Sequence, residues 1–76
     1  MNANELIKKI SYYKTNEDVI TVERMISMKR LKALKSKGNV RCILHQEANE
    51  LESDLQNALA AFEYRRANKS IEVWHN

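Results

Sequence analysis

The chain has no proline, one glycine and one cysteine in 76 residues. Turn-rich β-sandwiches, collagen-like repeats and flexible linkers need glycine and proline as punctuation, so all three are excluded and helix is what remains. The lone Cys42 rules out an intrachain disulfide framework, which small secreted domains usually need, and a reducing, cytoplasmic setting is expected. Long apolar runs are missing too. The first ten residues lack the apolar stretch of a signal peptide, and the longest apolar run is Ala58-Leu-Ala-Ala-Phe62, far short of a membrane span. A soluble protein with no membrane partner is expected.

What is present is 43% hydrophobic and 30% charged residues with a net charge of +3. A chain this short makes one domain and buries only about 60% of its unfolded surface, so its core must be thin. Periodicity and capping residues predict an all-α fold with three helices, over about residues 5–13, 17–36 and 40–68. Leu6, Ile10 and Tyr13 mark the apolar side of the first helix, with Asn4 as its expected N-cap; Tyr13 then faces inward and Tyr12 outward. Thr15 and Asn16 restart the chain, and Glu17 and Asp18 suit the positive end of the next helix dipole.

The second helix carries two apolar seams. Val19, Val22, Ile26 and Ala33 fall on one side at about 100° per residue, and Ile20, Ser27, Leu31 and Leu34 on another. Such a helix is expected to be sandwiched. Gly38 is expected in the left-handed position that closes this helix, with Asn39 capping the next, as in a tight antiparallel hairpin. Leu44, Ala48, Leu51, Leu55, Ala58 and Phe62 give the third helix a long stripe, which then meets Arg65, Arg66 and Lys69. That helix should end near residue 68 or project beyond its partners. Residues 1–76 thus read as a single helical domain with residues 70–76 as an apolar tail, where Ile71, Val73 and Trp74 fold back on the core or dock elsewhere.

Charge is segregated. Residues 24–41 hold Arg24, Lys29, Arg30, Lys32, Lys35, Lys37 and Arg41 with no acid, whereas residues 42–63 hold Glu47, Glu50, Glu52, Asp54 and Glu63 with no Lys or Arg. Reversal at Gly38 sets Lys29 beside Glu47 and Arg24 beside Glu52, so most of this pattern reads as ion pairs that fix the hairpin register. Arg24, Met28, Lys32 and Lys35 form a separate stripe away from both seams, open to an acidic partner.

Candidate chemistry is sparse. Cys42 and His45 are three apart on one helix, but a thiolate nucleophile also needs an orienting third group and an oxyanion site, and zinc needs four ligands. One glycine cannot build a phosphate loop. Glu47, Glu50 and Asp54 share a flank that fits ion pairing better than acid–base work, and Met25 reads as core filler. No catalysis, cofactor or metal is expected.

The sequence therefore predicts a three-helix bundle per chain that dimerises into a larger helical bundle, with a monomeric bundle as the alternative. The expected function is that of a non-enzymatic protein-interaction module, an adaptor, inhibitor or regulator that docks on a larger protein through Arg24, Met28, Lys32, Lys35, Arg65, Arg66 and Trp74. Freestanding inhibitors of this size are common among phage and plasmid products, which is an analogy of gene type only. The runner-up is a nucleic-acid-binding regulator using the same basic stripe. Tyr12, Tyr64 and Trp74 do not interleave with that stripe as stacking residues would.

Overall fold

The computed structural model describes residues 2–75, with side chains through residue 68. Three helices follow one another: α1 (Ala3–Tyr12), α2 (Asn16–Lys35) and α3 (Asn39–His75). The described residues contain no strand. The molecule measures 58 × 19 × 14 Å, and its long dimension is set by α3, whose 37 residues span about 55 Å at 1.5 Å per residue.

α1 is capped two residues before the expected Asn4. Asn2, in extended backbone, accepts a hydrogen bond from the Glu5 amide at 2.9 Å, so the cap falls where a side-chain oxygen reaches a free N–H. Its buried stripe is Leu6, Ile7 and Ile10. Tyr13 lies past the helix in extended backbone and is exposed, as is Tyr12, which corrects the expectation that Tyr13 faces inward. The reason is local: once the chain leaves the helix, the spacing that aligned Tyr13 with Ile10 no longer applies.

Thr15 caps α2 through the Asp18 amide at 3.2 Å, and Asp18 Oδ2 meets Lys9 Nζ at 3.1 Å across the corner between α1 and α2. At its far end α2 closes on Ser36, an extended residue, rather than on a left-handed glycine. Gly38 does adopt the left-handed conformation, at φ 65°, but it belongs to the start of α3, where its carbonyl accepts from the Cys42 amide at 3.4 Å. Asn39 is already helical.

α2 runs antiparallel to α3, and α1 runs parallel to α3. The first relation is fixed by Lys29 to Glu47 at 2.9 Å and by Arg30 to Glu52. The second follows from Asn2 and Asn4 lying beside Glu47 while Ser11 lies beside Arg65. The core gathers Leu6, Ile7 and Ile10 from α1, Val22 and Ile26 from α2, and Ala48, Leu51, Leu55 and Ala58 from α3. Ile10 and Val22 are its largest fully buried side chains.

The expected pairing of Arg24 with Glu52 is not formed, because Arg30 takes that carboxylate. Matching residues by their distance from the turn gives axial level but ignores rotation about the axis. Arg30 lies on the flank of α2 next to α3, and Arg24 lies about 120° around the helix from it, on the outside.

Ten residues of α1 cover about 15 Å of an α2 twice as long, so only half of the hairpin is three helices thick. Near the turn Ala33 is buried between α2 and α3, while Leu31, Leu34, Val40 and Ile43 are exposed. Ile20, which is level with α1, is exposed as well, so the second seam of α2 is left uncovered by the described residues along its length. Ile20, Ser27, Leu31 and Leu34 are all exposed, so among the described residues α2 is covered along its first seam only and is not sandwiched within one chain.

Candidate functional site

The predicted basic stripe becomes one wall of a groove. Arg24, Met28 and Lys32 recur at steps of four on α2, so their side chains stack along one line of the helix surface. Beside them Met25 and Lys29 turn toward α3, and Ala3 and Leu51 close the floor. The result is an open groove of about 420 Å³, apolar below and cationic at the rim. Met28 is 55% exposed, whereas Met25 is half-buried against the core. A flexible thioether in such a position adapts its shape to an incoming apolar group.

Charge at the rim is uneven. Lys29 donates to Glu47 at 2.9 Å, so its charge is answered within the chain. No ion pair is described for Arg24 or Lys32, and both are exposed. Sharing Ala3, Lys29 and Leu51 with it, a second groove of about 360 Å³ is lined by Glu47, Glu50 and Asp54 together with Asn2 and Asn4. Of the three acids on that flank Glu47 forms the expected salt bridge, while Glu50 accepts from Gln46 at 3.4 Å. The two grooves give this side of the molecule a basic and an acidic half.

The other predicted contact residues do not join the groove. Lys35 is exposed at the last turn of α2, beyond its end. Arg65 donates to the Ser11 carbonyl at 2.7 Å and lies over the Tyr12 ring at 3.9 Å, so its guanidinium ties the end of α1 to α3. Arg66 lines a smaller groove of about 270 Å³ with Tyr12, Tyr13, Phe62 and Arg65 at the same end. Trp74, with Ile71 and Val73, lies outside the residues whose side chains are described.

Sequence reasoning missed Ala3, Thr21 and Leu51 as groove residues and placed Met25 only in the core. Met25 could have been found, since it is three before Met28 and seven before Lys32 and shares their side of the helix. Ala3 and Leu51 could not, because they enter from other helices.

Cys42 is an exposed free thiol and His45 is half-buried one turn away. Among the described residues no group of three or more His, Cys, Asp or Glu is placed to hold a metal ion, and no helix is long and apolar enough to cross a membrane. No family model, no curated protein and no solved structure matches this chain.

Proposed function

We propose that the protein is a non-enzymatic interaction module, an adaptor, inhibitor or regulator that docks on a larger protein through the groove of Arg24, Met28 and Lys32. The single observation that carries this reading is the combination in one groove of an apolar floor with two bases that have no ion pair among the described residues. A partner segment presenting an apolar side chain flanked by carboxylates complements it: the apolar group displaces water from Met28, Met25 and Leu51, and the acids meet Arg24 and Lys32. Phosphate backbones would use the bases but leave the apolar floor without a role, which favours a protein over nucleic acid.

The test is capture of partners by the tagged protein from its native cell lysate, with and without nuclease, repeated with the double variant Arg24→Glu/Lys32→Glu. Both positions are exposed, so helicity should be unchanged while capture of a nuclease-resistant protein is lost. Equal capture by the double variant would remove this groove as the site. Recovery of nucleic acid, with affinity falling steeply as salt rises, would replace the reading by a nucleic-acid-binding regulator.

A further inference from the structure

We infer that the outward seam of α2 is the contact face for a second copy of this chain, packed antiparallel across Ser27. The inference is independent of the groove proposal: Met28 and Lys32 lie on the flank of α2, and only Arg24 borders both surfaces.

The seam is a sequence pattern that the tertiary structure leaves unused. Ile20, Arg24, Ser27, Leu31 and Leu34 are separated by four, three, four and three residues. That alternation keeps one line of side chains facing a neighbouring helix and is the spacing of a coiled-coil seam. On another side of the same helix, a third of a turn or more away, Val22, Ile26 and Ala33 are buried. Yet Ile20, Leu31 and Leu34 are 47%, 52% and 65% exposed, so three large aliphatic groups stand in water on one line. A helix apolar on two sides is satisfied only when both sides are covered.

Charge says what covers the second side. The exposed acids of α2, Glu17 and Glu23, lie in its first half with Arg24, and its bases from residue 29 onward lie in its second half, where Lys29 and Arg30 already pair with Glu47 and Glu52, Lys32 faces the groove, and Lys35 is exposed with no ion pair among the described residues. A parallel copy would set bases beside bases. An antiparallel copy sets Glu17 of each helix near Lys35 of the other and opposes the two helix dipoles. The same reversal brings the Ile20 end of one seam against the Leu31–Leu34 end of its partner. Ser27 is the middle of the five seam positions and the smallest side chain among them, so the twofold axis falls where the two helices can approach most closely. Arg24, the one charged residue in the line, keeps its head in water beside the seam while its stem covers apolar surface. The assembly places α2 and α3 of each chain side by side as a four-helix arrangement, with each α1 on the outside.

The test combines oligomeric state with cross-linking. Sedimentation equilibrium of the full chain at micromolar concentration should give twice the protomer mass of 8.9 kDa. The double variant Leu31→Glu/Leu34→Glu should sediment as a monomer with unchanged helicity, because both side chains are exposed in the single chain. In a Cys42→Ser background, Ser27→Cys should form an interchain disulfide under mild oxidation and Leu34→Cys should not. A monomeric wild-type chain, or a dimer that survives the double glutamate variant, would overturn the assignment of this face. Rapid cross-linking through Leu34→Cys would overturn the antiparallel arrangement.

Discussion

Asp18 serves both sides of the first corner of the chain. Its backbone N–H closes the Thr15 cap, and its side chain meets the Lys9 ammonium at 3.1 Å. The hydrogen bond from Lys9, followed by that from Thr15, holds this carboxyl below its ordinary value. A lowered folded-state value means that the stabilisation is present at neutral pH and is lost as pH falls through the folded-state value. The Asp18→Asn variant should therefore lose less stability than wild type between about pH 5 and pH 2, as read by urea unfolding midpoints across that range. Equal losses would remove Asp18 from the acid response. Gly38 poses the converse case of a residue set by backbone alone. Nothing lies within 4 Å of a Cβ built there, so the φ of 65° is the whole cost of a side chain. Gly38→Ala should destabilise by about 1–2 kcal/mol, and Gly38→Asn by less, in the same unfolding measurement. Had alanine met a steric neighbour, asparagine would be the worse of the two.

At the scale of the elements, α1 illustrates what the sequence could and could not reveal. Leu6 and Ile10 were legible as core from their spacing, because one helix face repeats every three to four residues whatever surrounds it. Ile7 was not singled out, since a helix lying in the cleft between two others buries a wider arc than a single stripe shows. The end of α1 shifted for a related reason: Asn2 and Asn4 are equally good capping residues, and which one caps depends on where α1 docks on α3. Being short, α1 depends on that docking. Ile10→Ala should cost about 2–5 kcal/mol through the cavity left between the three helices. Chains of this size hold only about 4–11 kcal/mol in total, so the variant should be largely unfolded on mild heating by circular dichroism. Leu34→Ala, on the outward seam, should change the stability of the single chain by less than about 0.5 kcal/mol. A comparable loss at both positions would show that coverage of the outward seam contributes to stability.

For the whole molecule, the sequence by itself determined the class and the order of its parts. The lack of proline and glycine left helix as the only regular structure, the stripes of Val22 and Leu55 marked one face of each long helix, and the single Gly38 marked the reversal. The opposed charge blocks also made Lys29 to Glu47 legible, since reversal at one point fixes which residues lie level. What only the tertiary structure decided is rotation and cover. Level alone suggested Arg24 for Glu52, and the rotation of α2 about its axis gave that carboxylate to Arg30 and left Arg24 on the rim of a groove. The floor of that groove, Ala3 and Leu51, comes from helices distant in sequence, and no spacing within α2 points to them. Likewise the pattern of α2 announced two apolar seams, but which of them is covered depends on where α1 and α3 pack around α2: Ile20 is level with α1 and is still 47% exposed. Periodicity is a property of one helix and is written in its own residues. Which of its faces meets another helix, and which is left for a partner, is set by how three rods of unequal length pack together.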